Sequence, residues 1–410
     1  MPAQVAVTRC PDYDPTALKH ALADALNLIG SLGSVVKPSH RVLLKINHLG
    51  SHHRIDSAIN THPEFLRVVV ELVREITPDV VVADGLDVRG FDGFTSSGTL
   101  EICRQLDVEL LNFRGAGYRE VTCSDFETID RVPMACAALD ADVVITLPKL
   151  KTHMLCLMTN AVKNNYGFVP LRLRVNYHRQ FADPDVFSNL VVDLFRARVP
   201  ELAIVDAVDA LEGTGPSRGG VPKRLGLVLA GRDCLAVDAV SAAIMGLEPA
   251  EVATNAHAAR RGLGEADLAK IDVLGERIED VRSPFRLPAS RLLVQGVLRR
   301  LPAWVMRFFG AFSGSMREFP RVVRDHCIGC GLCVRHCPED AVTLVDGKAV
   351  IDRERCIACF CCQEFCESDA IGVRRRLLGR ILSLTSRVLR SARRLIRRKP
   401  VTQDGCRRED

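Results

Sequence analysis

Aromatic residues are scarce in this chain, at 5% of the total with a single tryptophan. Its cores must therefore be built from Leu, Val, Ile and Ala. No run of 18 or more apolar residues occurs, so no segment is expected to span a bilayer as a helix. The opening MPAQVAVTRCPDYDP has neither a basic start nor a continuous apolar centre, and no secretory leader is expected. A Gly-x-Ser-x-Gly elbow, a phosphate-binding loop and a dinucleotide fingerprint are all missing, which removes the commonest hydrolase and nucleotide-binding readings. A disulfide scaffold is excluded too. Such chains are short and evenly studded with cysteine, whereas nine of the 16 cysteines here lie between Cys327 and Cys366 of 410 residues.

What is present reads first as a folded chain of ordinary polarity, 47% hydrophobic and 26% charged. The net charge of +5 is mild, but much of the excess falls in the last forty or so residues. Free thiols in this number suit a reducing compartment, so the expected location is cytoplasmic, with peripheral attachment to the inner face of a membrane left open. Short β-rich runs alternate with helical patterns over the first 280 or so residues. The expected strands are Val5–Thr8, Val42–Ile46, Val80–Ala83, Val108–Leu111, Val143–Leu147, Ala203–Val205, Leu225–Leu229 and Ile271–Leu274. Leu18, Leu22, Ala25 and Ile29 recur at helical spacing, as do Phe65, Val68, Val69, Leu72 and Val73. This alternation predicts an α/β domain with a largely parallel sheet over residues 1–285. A helical linker (286–322), a small α+β two-cluster ferredoxin-like domain (323–373), a basic amphipathic helix (374–399) and a polar tail (400–410) are expected to follow.

The cysteine-rich segment carries the strongest signal. CIGCGLCVRHCP gives Cys327, Cys330, Cys333 and Cys337; CIACFCCQEFCE repeats the spacing as Cys356, Cys359, Cys362 and Cys366. Soft thiolates in C-x2-C-x2-C-x3-C runs suit 4Fe–4S clusters, the first three binding one cluster and the fourth reaching the other. Cys327, Cys330, Cys333 and Cys366 are accordingly expected to hold one cluster, and Cys356, Cys359, Cys362 and Cys337 the second. Gly329 and Gly331 suit a close backbone approach, and Cys361 is a spare between two ligands. The segment resembles a bacterial two-cluster ferredoxin, with Glu367 where the second proline would stand. All iron ligands are protein thiolates, which favours one-electron relay over catalysis at iron.

In the large domain, Asp142–Leu147 runs as a strand into Pro148-Lys149-Leu150-Lys151-Thr152-His153, and Ala161-Val162-Lys163-Asn164-Asn165-Tyr166-Gly167 follows. Polar residues just past a strand end are where open α/β sheets build sites. Lys149, Lys151, His153, Lys163 and Asn164 are therefore the first candidates for anion binding and proton transfer. Asp206 and Glu212 come second, as carboxylates near strand ends; Asp233 is placed to cap the helix Cys234–Met245. These blocks, with Leu44-Lys45-Ile46-Asn47, Ile204-Val205-Asp206, Glu212-Gly213-Thr214-Gly215-Pro216 and Asp233-Cys234-Leu235-Ala236-Val237-Asp238, resemble the family called domain of unknown function 362, often joined to ferredoxin modules. The resemblance implies fold and architecture and little chemistry.

Residues 374–399 hold ten Arg, one Lys and no acid, with apolar residues near helical spacing. An anionic membrane surface is one expected partner, and docking onto protein is another; nucleic acid is disfavoured. The expected function is an iron–sulfur protein relaying electrons to a substrate or cofactor in the α/β domain, with a redox partner protein or small-molecule electron acceptor. The alternative is a non-enzymatic carrier or maturation adaptor.

Overall fold

The structure, a computed structural model, describes residues 2–50, 53–86, 92–217, 219–288 and 319–374. Most of the expected linker and all but the first residue of the expected basic helix lie outside these.

The large domain is built on strands β1 (Ala3–Arg9), β2 (Val42–Ile46), β3 (Val80–Asp84), β4 (Glu109–Asn112), β5 (Tyr118–Thr122), β6 (Arg131–Ala135), β7 (Val143–Leu147), β8 (Lys149–His153), β9 (Leu157–Thr159), β10 (Leu202–Gly213), β11 (Gly220–Gly231) and β12 (Ile271–Gly275). The main sheet runs β12-β1-β11-β10-β7-β2-β3-β4, with β8 on β10 and β9 on β8. It is parallel except where β11 pairs β1 and β10, and where β9 pairs β8. β5 and β6 form a separate hairpin.

Alternation along β2 explains why both faces are covered. Val42, Leu44 and Ile46 enter one core, while Leu43 enters another on the opposite face. The first face is closed by helices Pro15–Leu28 and Pro63–Arg74. Asp14 caps the former through Thr16 and Ala17, and His62 caps the latter through Glu64. Opposite them, Pro184–Ala197 and Cys234–Ile244 bury Phe187, Leu190, Val191, Leu235 and Val240. Asp233 caps the latter helix through Leu235 and Ala236, as its position before that helix predicts.

Two elements differ from the sequence reading. Lys149–His153, expected as residues beyond a strand end, is a strand whose every residue is buried. β10 continues to Gly213, so Asp206 and Asp209 lie within a long hairpin strand and do not end one. The cause is a handover: β10 pairs β7 through Leu202 and Ala203, and then β8 through Asp206 and Leu211.

The C-terminal domain is a repeat with an offset of 29 residues, seen from Cys327 to Cys356. β13 (Phe319–Val322) corresponds to β15 (Lys348–Ile351), and β14 (Val342–Val345) to β16 (Ile371–Arg374). Each two-stranded sheet takes one strand from each copy, β13 with β16 and β14 with β15. β13 thus falls inside the segment read as linker. The short helices Leu332–Arg335 and Cys361–Glu364 are equivalent under the same offset.

Candidate functional site

The carboxyl ends of β2, β3 and β8 open into a cleft whose opposite wall is the C-terminal domain. It holds a cavity of about 140 Å³. At its floor the Lys45 ammonium lies 2.9 Å from Asp84, both side chains essentially sealed from solvent. Lys45 also donates to the Ile46 carbonyl at 2.6 Å. Burial pulls the Lys45 pKa down, and the Asp84 carboxylate opposes that pull. A Cβ on Gly167 would sit 2.7 Å from Lys45 Nζ and 2.9 Å from Asp84 Oδ1, so only glycine fits over the pair. Asn164 ties the strands beneath: its Nδ2 donates to Thr146 at 2.8 Å and to the Lys45 carbonyl at 3.2 Å.

Lys151, His153, Lys163 and Asn164 all line this cleft. Lys151 donates to the Ile59 carbonyl at 2.8 Å; burial, with the neighbouring Lys163 charge adding, pushes it down to about 7. The His153 Nδ1 accepts the backbone N–H groups of Leu155 and Cys156, which fixes that nitrogen as unprotonated. Lys163 makes no hydrogen bond or ion pair among the described residues and lies over the Tyr166 ring, 5.2 Å from its centre. Two residues that sequence reasoning missed complete this wall. Arg174 donates to the Gly85 carbonyl at 2.8 Å, while its Nε is buried without a partner. His178 stacks on Phe187 and is held neutral, its pKa pushed to about 3 by burial and then by Lys163 and Arg174. Their one signal was spacing: Arg174 and His178 are one helical turn apart in Leu171–Gln180.

The facing wall comes from the two equivalent helices. Leu332 and His336 belong to one copy; Cys361, Glu364 and Phe365 belong to the other. His336 and Phe365 stack across the repeat at 3.8 Å. Glu364 stands where the other copy has Arg335, and burial raises its pKa against the pull of Lys163, Lys151 and Arg174. Arg179 to Glu339, at 3.2 Å, joins the two domains beside the cleft.

Lys149, Asp206 and Glu212 lie elsewhere. Lys149 Nζ donates to Asp206 at 2.8 Å and to the Tyr13 hydroxyl at 2.6 Å; Asp206 also accepts from Tyr13 and from the His62 backbone N–H, each at 2.9 Å. The Tyr13 ring stacks on His62 at 3.5 Å. This buried network joins the start of two helices to β8 and β10. Glu212 binds the Arg286 backbone and guanidinium, and Lys223 at 3.5 Å. Asp238 accepts from Ala161 and Val162 N–H, so it supports the segment carrying Lys163.

The eight cysteines of the two runs fall into two groups. Cys327, Cys330, Cys333 and Cys366 share one hollow. Burial raises the Cys362 thiol pKa, and Cys359, Cys356 and Cys337 add to it more than Cys333 does. Backbone N–H groups point at the sulfurs: Ala341 to Cys337 and Ala370 to Cys366, each at 3.2 Å, and Ala349 to Cys327 at 3.4 Å. Such donors stabilise thiolate and cluster charge, so the residues fit iron–sulfur clusters. The turn geometry repeats as well. Gly329 and Gly331 have φ of 71° and 74°, and Ala358 and Phe360 take 57° and 63° at the equivalent positions. A Cβ at Gly329 would meet the Gly347 carbonyl at 2.3 Å, which is why the first copy needs glycine there.

Fold and site together define an α/β protein with an appended iron–sulfur domain. Residues 42–243 match the family described as domain of unknown function (DUF362), and residues 319–367 match the 4Fe-4S dicluster domain. A thylakoid-associated protein of Synechocystis sp. is 34% identical over 315 residues, covering 76% of this chain and 96% of its own length. The chain belongs to the DUF362 family. Among solved structures, the lactate racemase apoprotein from Thermoanaerobacterium thermosaccharolyticum is similar with a TM-score of 0.38 at 7% identity, over 54% of each chain. Among the described residues no helix is long and apolar enough to cross a membrane.

Proposed function

We propose that the protein is a ferredoxin-type oxidoreductase in which two 4Fe–4S clusters relay electrons to a small molecule held between the two domains. The observation that carries this reading is the placement of the helix Cys361–Glu364: it holds the ligand position Cys362, follows Cys359, and forms the cleft wall opposite Lys151, His153 and Lys163. The bound clusters supply electrons one at a time. The chain's own residues do the rest. Lys151 and Lys163 place positive charge on the acceptor, lowering the cost of adding electrons to it. The His336–Phe365 stack covers the cluster side, and Asn164 with Gly167 fixes the floor. Anaerobically purified protein should carry about eight iron and eight sulfide per chain. Lys151→Ala and His153→Ala should keep that iron and their melting temperature yet lose turnover or ligand binding. Iron loss and collapse of the fold in both variants would show that the block is structural.

A partner must load the clusters. Ile328 and Leu344, 68% and 43% exposed, both border the hollow of Cys327, Cys330 and Cys333, and an apolar rim beside the ligands suits a docking redox protein. The same feature supports the second reading, a carrier or maturation adaptor that passes electrons onward without a substrate of its own. A small-molecule ligand for the cleft decides for the enzyme. The basic residues 374–399, all but the first outside the described residues, are proposed to attach the chain to an anionic membrane surface. The thylakoid-associated relative supports that assignment.

A further inference from the structure

The cleft is short of negative charge. Among its lining residues Lys45 has Asp84, but Lys151, Lys163 and Arg174 face one half-buried carboxyl, Glu364; Glu367, the remaining acid on the lining, is exposed. Glu364 itself makes no hydrogen bond or ion pair with them among the described residues. Lys163 has only the Tyr166 ring beneath its ammonium, and Arg174 Nε is enclosed without an acceptor. Two further polar groups in the same cleft are also unpartnered: Thr159 Oγ1 and His178 Nδ1, on side chains 4% and 7% exposed. Buried donors are almost always satisfied, and an unmatched cation in low dielectric is costly. Here the unmatched donors come together around one cavity, whereas the three fully buried lysines are each held, Lys45 and Lys149 by a carboxylate and Lys151 by the Ile59 carbonyl.

Segment 161–178 is also built to hold these groups still. Asp238 accepts the N–H groups of Ala161 and Val162 at its start, the Tyr166 hydroxyl donates to the Arg174 carbonyl at 2.7 Å, and His178 packs edge-on to Tyr166 and flat on Phe187. Tyr166 thus supports Lys163 from below while fixing the turn that carries Arg174. A rigid pair of cations with free donors is what recognition of an oxyanion requires.

We propose that the molecule bound in the cleft carries an oxyanion, and that Lys163 and Arg174 hold that group with Thr159 as a hydroxyl donor. This rests on the cleft being the substrate site; it does not depend on electrons reaching it. The oxyanion takes up the charge that Glu364 leaves uncompensated.

The test is calorimetric titration of oxidised, cluster-loaded protein with inorganic phosphate, chloride serving as the reference anion at constant ionic strength. Phosphate is expected to bind saturably, Lys163→Gln to weaken it about tenfold or more, and Lys163→Arg to stay within about threefold of the parent. Thr159→Val should weaken it by about threefold to tenfold. Lys223→Gln, outside the cleft, should change nothing. Iron content and melting temperature of Lys163→Gln are read alongside and should match the parent. Phosphate heats that are absent, or equal in the parent and a fully loaded Lys163→Gln, would overturn the proposal. Because the clusters stay oxidised throughout, a failure here is separate from a failure of electron relay.

Discussion

Replacing Lys149 with methionine should destabilise the protein severely without emptying its clusters. The Lys149 and Asp206 side chains are 1% and 0% exposed and 2.8 Å apart. Burial lowers the lysine pKa, and the Asp206 carboxylate opposes that pull. Without the ammonium, Asp206 retains the Tyr13 hydroxyl and the His62 N–H but becomes a buried anion with no counter-charge. Breaking a buried pair from one side costs about 3–5 kcal/mol. At about 2–4 °C per kcal/mol for a domain of this class, the melting temperature should fall by roughly 6–20 °C. Asp206→Asn alone should cost a comparable amount, because it strands the lysine. The double variant Lys149→Met, Asp206→Asn removes both charges and should recover about 2–3 kcal/mol relative to additivity. Urea unfolding followed by far-ultraviolet circular dichroism gives all four corners of the cycle. The reasoning fails if the singles lose less than about 1 kcal/mol or if the double variant is simply their sum. It also fails if Lys149→Met melts like the parent but loses phosphate binding, since Lys149 would then belong to the cleft.

Gly167→Ala should cost about 2 kcal/mol, because the added methyl must displace the Lys45–Asp84 pair; thermal melts report it, and an unchanged melt would mean the floor is loosely packed. Acid should destabilise the fold through His62. Its Nδ1 accepts the Glu64 N–H and its pKa is pushed to about 4, so the unfolded chain takes the proton first. That contribution, up to about 3 kcal/mol, is complete above pH of about 6.5 and lost as pH falls toward about 4. His62→Gln should flatten urea midpoints across that window, and an unchanged slope would contradict the assignment. Cys361→Ser should keep all the iron, whereas Cys337→Ser should damage the cluster held by Cys356, Cys359 and Cys362; equal iron loss in both would refute the ligand sorting. Truncation after Val373 should abolish sedimentation with anionic vesicles, and equal pelleting of both lengths would remove the membrane assignment.

Much of this architecture was written in the sequence at the level of strands. β2 and β7 begin and end where their apolar runs do, because strands buried on both faces are continuous hydrophobic segments. The cysteine runs were equally plain, since ligand spacing is local. Lys149–His153 was not, because its lysines and histidine look like a polar loop. Only the tertiary partners Asp206, Ile59 and the backbone at Leu155 and Cys156 let those groups be buried in a strand. Distance in the chain also hid the site's composition. Lys151 and Lys163 face Glu364 across more than two hundred residues of sequence, and no periodicity links them. The 29-residue repeat could have pointed there, since it places Glu364 opposite Arg335 as a departure from symmetry.

Electron relay as proposed requires the cleft to lie within electronic reach of the cluster held by Cys356, Cys359, Cys362 and Cys337. Pulsed electron paramagnetic resonance on reduced protein with inorganic phosphate bound tests it directly. A phosphorus-31 hyperfine coupling to the cluster spin is expected, and it should disappear in Lys163→Gln. Saturated phosphate binding in a fully loaded protein with no phosphorus coupling to either cluster would contradict it.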